Sequence, residues 1–237
     1  MNGRGIVAVA VGAAIAMWAS AAAAVVVVSI GVSSTSTPPG VAGSSAIAPS
    51  SAFLDGTAGG IEFITTGTGN PPLPDPGLLS AVSVDIAASS GGGHGFVFIT
   101  AQGITSPVGA LSFLSAFTSQ PMPVGWTATS TTYFNAGDTL FGTSTLLNTA
   151  VFTGLGTGVI LANQVGAKAV SGVAGSYSVT AVLEIFASVG GRSSHDIEIS
   201  AVPGPIVGAG LPGFLLAACG GLLVLARRRR RMTAIAA

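Results

Sequence analysis

The chain has 237 residues, of which 8 are basic and 8 acidic, so charged side chains make up 7% of it, against roughly 25% in an ordinary soluble domain. Hydrophobic residues at 49% and a mean hydropathy of +0.75 exclude intrinsic disorder, which needs low hydrophobicity and high charge. The length accommodates one sizeable domain with targeting segments rather than two full domains.

The net charge of zero divides unevenly. Arg4 lies at the N-terminus and Arg227, Arg228, Arg229, Arg230 and Arg231 lie near the C-terminus. All eight acids (Asp55, Glu62, Asp75, Asp85, Asp138, Glu184, Asp196, Glu198) fall between them with only Lys168 and Arg192, a balance of −6. A body of that sign repels phosphate, which excludes nucleic acid as a partner.

Residues 1–24 read as a signal peptide: one early arginine, an apolar core with Trp18, and the alanines Ala21 to Ala24, with cleavage expected near Ala23 or Ala24. The alternative is an uncleaved helix, because the uncharged stretch runs from Ile6 to Ile30 and roughly 20 residues suffice to span a bilayer. Residues 25–58 are expected to form a linker, richest in Ser, Thr, Pro and Gly between Ser33 and Ser51.

Residues 59–201 read as a β-rich exported domain. Strands are expected at Gly60–Thr66, Leu79–Ala88, Phe96–Ala101, Val124–Phe134, Thr139–Gly142, Ala150–Thr153, Tyr177–Val189 and Asp196–Ser200. The period-2 signature is cleanest in Leu79–Ala88, with Val84 and Ile86 opposite Asp85, and in Tyr177–Val189, with Tyr177, Val179, Ala181, Leu183 and Ile185 opposite Ser178, Thr180 and Glu184. Asn70–Gly77 holds four prolines and is a loop. Pro107–Phe117 suggests one or two helical turns. Short strands with threonine-rich faces and glycine turns indicate an all-β, antiparallel sandwich or jelly roll.

Val202-Pro203-Gly204-Pro205 opens the last segment, residues 202–237. The uncharged span 206–226 is 21 residues, about 31 Å as a helix and matched to a bilayer core. The arginines 227–231 then act as a membrane stop, retained in the cytoplasm. A proline motif, one apolar helix and a terminal arginine cluster together resemble the PEP-CTERM sorting signal, with Gly204 standing where that signal usually has glutamate. The resemblance implies export across the inner membrane, signal peptidase and an exosortase as processing partners, transient membrane anchoring by the C-terminal helix, and release to the cell surface, with exopolysaccharide as the expected partner there.

Catalytic signals are sparse. His94 and His195 each sit beside glycine or serine and read as solvated loop residues, and no Gly-x-Ser-x-Gly elbow occurs. Cys219 is the only cysteine, so no intramolecular disulfide forms. Clustered zinc ligands and a calcium loop are missing, and Gly154-Leu155-Gly156-Thr157-Gly158 lacks the lysine of a phosphate loop. The expectation is no catalytic, cofactor-binding or metal residue, and no enzyme: an exosortase-sorted, non-enzymatic surface or matrix protein. Two alternatives are a permanently anchored single-pass protein and a secreted carbohydrate-binding or glycan-active domain. The last would use Trp126, Tyr133, Phe134 or Tyr177 as stacking platforms, or a carboxylate pair such as Asp85 with Glu184.

Overall fold

The computed structural model of the chain describes residues 26–39, 45–156 and 162–203. They form twelve strands: β1 (Val27–Ser33), β2 (Ser45–Pro49), β3 (Ser51–Ala58), β4 (Ile61–Gly69), β5 (Gly77–Ala88), β6 (Gly93–Ile104), β7 (Gly109–Ser119), β8 (Trp126–Asn135), β9 (Thr145–Thr153), β10 (Ala162–Val173), β11 (Tyr177–Ala187) and β12 (Gly191–Pro203). Two six-stranded sheets stack face to face. Sheet A has the order β2-β1-β6-β11-β8-β9 and sheet B the order β10-β7-β12-β5-β4-β3. The strand pairings are antiparallel. From β5 onward the chain passes back and forth between the sheets, interrupted by the β8–β9 hairpin, which gives the jelly-roll-like character. The fold is an all-β antiparallel sandwich.

Alternation builds it. In β8 every second residue from Trp126 to Phe134 is buried, and the intervening threonines and Tyr133 face outward. In β11 Tyr177, Val179, Ala181, Leu183 and Ile185 are fully buried. The sheets are stapled by aromatics: Phe113 of sheet B meets Phe134 and Tyr177 of sheet A at ring separations of 5.2 and 6.2 Å. The Trp126 ring is enclosed, and its Nε1 donates to the Val189 carbonyl at 2.9 Å.

Several expectations are corrected. Residues 25–58 are not a plain linker, because they carry β1, β2 and β3. Val26, Val28, Ile30 and Val32 alternate into the core, and a membrane helix continuing to Ile30 would require that strand to be pulled out. Pro107–Phe117 lies mostly in strand β7 rather than a helix. Leu111, Phe113 and Phe117 point inward at period 2, and the pattern is disguised by Ser115, which is buried and bonds Thr132 of the facing sheet at 2.6 Å. Thr139–Gly142 is a turn, with Asp138 and Phe141 in left-handed backbone at φ 51° and 50°. The processing residues Val202 and Pro203 end β12, paired with Ser112 and Leu111 of β7. Gly204, Pro205, the span 206–226, the arginines 227–231, Cys219 and the signal segment 1–24 lie outside the described residues. Among the described residues no helix is long and apolar enough to cross a membrane.

Because Trp126 fills the core and its indole N–H is satisfied there, truncation leaves both a cavity and an unpaired carbonyl. Trp126→Ala is expected to cost about 3–5 kcal/mol, read as a lowered urea midpoint at unchanged slope.

Candidate functional site: the outer face of sheet A

Three strands set out a regular array on the solvent side of sheet A. Register places Phe96, Glu184 and Thr129 in one row across β6, β11 and β8. Phe98, Val182 and Thr131 form the next row, and Thr100, Thr180 and Tyr133 the one after. Thr100 and Thr180 bond each other at 2.9 Å. This end of the face is roofed by the turn after β8: Gln102 Nε2 donates to the Asp138 carbonyl, the Gly103 amide donates to Asp138 Oδ1 at 2.8 Å, and Ser178 Oγ donates to the Thr139 carbonyl. Phe141 rests on Phe98 at a ring separation of 5.9 Å. A left-handed phenylalanine costs roughly 1–2 kcal/mol, and burying its ring on Phe98 offsets that strain.

Between the roof and the Ser36–Pro38 segment lies a depression of about 210 Å³. Phe96, Phe98 and Val182 make its apolar base; Thr129, Thr131, Thr143, Tyr133 and Glu184 supply polar atoms around it. Burial raises the Tyr133 pKa above the usual phenol value, so the hydroxyl stays a neutral donor and acceptor. Glu184 is held by His94, whose Nε2 lies 2.8 Å from Oε1. The His94 ring also contacts Phe96 at 5.0 Å and Phe186 at 6.2 Å. Glycine makes that position of His94 possible. At Gly59 (φ 58°) a Cβ would collide with the His94 carbonyl, and the His94 amide donates to the Gly59 carbonyl at 2.9 Å.

The two histidines are not the loop residues that the sequence suggested. His94 opens β6 and His195 lies within β12. His195 is 1% exposed, its Nε2 lies 3.3 Å from Ser193 Oγ, and its Nδ1 is buried with no partner among the described residues. Burial pushes its pKa down from 6.5 to about 4. Of the four aromatics considered as platforms, Trp126, Phe134 and Tyr177 are buried between the sheets. The Tyr177 hydroxyl donates to the Pro107 carbonyl at 3.1 Å and its pKa is raised by burial. Tyr133 alone of the four reaches the outer face. Asp85 and Glu184 do not pair: one is on the outer face of sheet B, the other on that of sheet A, with the thickness of the sandwich between them. Sheets stack about 10 Å apart, so outward carboxylates on the two faces exceed either glycosidase spacing. Among the described residues no group of three His, Cys, Asp or Glu is placed to hold a metal ion.

No protein family and no curated protein matches the chain. Similar solved structures include a carbohydrate-binding module from the Cellvibrio mixtus lichenase 5A in complex with cellotriose, at 15% identity and a TM-score of 0.29, covering 60% of this chain and 86% of that one. An arabinose-bound α-L-arabinofuranosidase is similar at 15% identity and a TM-score of 0.30, over 64% of this chain but 23% of its own. The Arthrobacter globiformis T6 isomalto-dextranase complexed with panose is similar at 19% and 0.27, over 65% and 25%. The likeness is one of fold alone. With glycoside hydrolases among these neighbours, the expectation that the protein is not an enzyme is set aside. So is its description as a non-enzymatic, exosortase-sorted matrix component associated with exopolysaccharide.

The buried His195 yields a stability prediction. The unfolded ring takes a proton near pH 6.5 and the folded ring only near pH 4, so the unfolded state binds more protons between those values. Its contribution is full above pH 6.5 and is lost as pH falls toward 4. The loss is expected to reach about 3 kcal/mol. Urea unfolding at the two pH values checks it, and His195→Gln should remove that part of the slope.

Proposed function

We propose that this protein is an exported carbohydrate-binding β-sandwich whose glycan site is the outer face of sheet A. One observation carries the reading: Tyr133, the Phe96–Phe98 base, a file of threonine hydroxyls and a histidine-clamped glutamate converge on a single depression. A sugar ring has apolar C–H faces and an equatorial belt of hydroxyls. The apolar base and the half-buried Tyr133 ring suit the first. Glu184, an acceptor fixed in one rotamer by His94, suits two neighbouring hydroxyls of the second, and the threonines supply both donors and acceptors. Charge-assisted hydrogen bonds to Glu184 give orientation, and the Tyr133 ring gives contact area at low entropy cost. Among the described residues the site holds one carboxylate and no unpaired cation, which favours a neutral saccharide over an anionic one.

Delivery to glycan outside the cell is part of the proposal and rests on the sequence of the two ends. A signal peptide removed by signal peptidase supports export across the inner membrane. The apolar span 206–226 and the arginines 227–231 support transient anchoring in that membrane. Loss of the tail at Gly204 or later would leave all twelve strands intact.

Tyr133→Ala and Glu184→Ala are each expected to weaken binding of a neutral oligosaccharide about tenfold or more, equivalent to about 1.4 kcal/mol, while the unfolding midpoint stays within that of ordinary surface changes. Titration calorimetry against neutral oligosaccharides, with cellulose-type and galactan-type chains compared, is the measurement. Unchanged affinity in both variants would remove the site from consideration.

A further inference from the structure

The opposite face of the sandwich carries a second cavity that the reading above does not use. It is about 490 Å³ and is lined by Glu62, Asp85, Gln120, Arg192, Ser193 and Ser194, with Ile64 and Ala87 on its floor. A neighbouring hollow of about 520 Å³ shares Glu62, Ala87 and Arg192 with it and extends to Thr57 and Gly60. Shared walls make the two one trough. Register shows how it runs. Thr57, Glu62, Ala87 and Arg192 form one row across β3, β4, β5 and β12, and Asp55, Ile64, Asp85 and Ser194 form the next. The trough therefore crosses four strands, three spacings of about 4.8 Å each or about 14 Å in all, which is the shape of a short polymer rather than of a single ring.

Its chemistry differs from that of the sheet A site. Glu62 and Asp85 are diagonal neighbours on adjacent strands, both exposed, and Asp55, also exposed, shares the row of Asp85. Arg192 is the one cation in the lining. Among the described residues none of Glu62, Asp85 and Arg192 is within ion-pair distance of an opposite charge, so the two signs stand separately along the trough instead of cancelling. A cationic ligand gains from Glu62, Asp85 and Asp55, while an anionic polymer meets three carboxylates for one guanidinium. The Gln120 amide and the serine hydroxyls offer neutral hydrogen bonds between the charges, and Ile64, Ala87 and Pro121 offer apolar contact. Alternating apolar, hydroxyl-matching and acidic positions fit a saccharide backbone bearing ammonium groups.

We propose that the outer face of sheet B is a second, separate saccharide site, selective for a chain of amino sugars with free amines. It does not depend on the sheet A reading, and the two fail independently.

The test uses the full chain and three probes at about pH 6: a free-amine glucosamine hexamer, its fully N-acetylated counterpart and hexalysine. With the sheet A face disabled by Glu184→Ala, the expected result is binding of the free-amine hexamer at least tenfold tighter than of the acetylated hexamer or hexalysine, weakened by added salt. That affinity should fall at least tenfold in Glu62→Gln/Asp85→Asn, rise in Arg192→Gln, and stay unchanged in Tyr133→Ala. All these positions are on outer faces, so circular dichroism should report unchanged folds. The proposal is overturned if the acetylated hexamer binds equally, if hexalysine binds as tightly, if the double variant keeps its affinity, or if Arg192→Gln loses it. Loss of the free-amine hexamer in Tyr133→Ala would move the binding to sheet A and overturn it as well.

Discussion

The structure depends on burying one side of every strand between two sheets. Eight acids and eight bases in 237 residues leave few ion pairs to spend on stability, and surface pairs contribute little in any case. The driving force is apolar area removed from water on the facing sides of β6, β11 and β8 against β7, β12 and β5. The Phe113–Phe134–Tyr177 triangle and the enclosed Trp126 mark where the packing is densest. That constraint decides where chemistry can be. An inward position is committed to the core, so side chains able to meet a ligand are confined to the two outer faces and the turns.

The polar groups that are buried show the cost of an exception. Ser115 is tolerated because Thr132 faces it at 2.6 Å across the sandwich. Thr100 and Thr180, buried under the Asp138 turn, satisfy each other. Ser29, Thr65 and the Nδ1 of His195 have no partner among the described residues, and a buried unpaired polar group costs roughly 1–3 kcal/mol. His195 responds by staying neutral, which converts the cost into acid sensitivity.

Much of the fold was legible in the sequence and little of the site was. β11 and β12 announce themselves by alternation, and their inward residues are the ones the pattern names; in β5 this holds for Val84 and Ile86, ahead of which the register shifts. β7 was disguised because a serine occupies a core position, and β1 because an alternating valine strand adjoins an apolar leader without a break in composition. β3 and β10 lack dense branched residues and carry glycine, which weakens the periodic signal. The site failed to show for a different reason. Glu184 and His94 are 90 positions apart and meet only because β6 pairs with β11. Tyr133 differs from Phe134 in the sequence by nothing that says which one faces solvent until the register of β8 is fixed. Glu62 and Asp85 likewise become neighbours only through the β4–β5 pairing. The Asp85–Glu184 pairing suggested by residue type failed on this point, since sequence shows the type of a carboxylate and not its sheet.

The same architecture presents two unlike faces, one aromatic and nearly neutral, the other acidic and trough-shaped. The central claim is that the first of them is where a neutral glycan is held. Mapping backbone amide shifts by NMR during titration with a neutral oligosaccharide tests it most directly. The account predicts that the perturbed amides cluster on β6, β11, β8 and the turn at Asp138–Thr143. Perturbations confined to sheet B or to the strand-edge loops, with those elements silent, would contradict it.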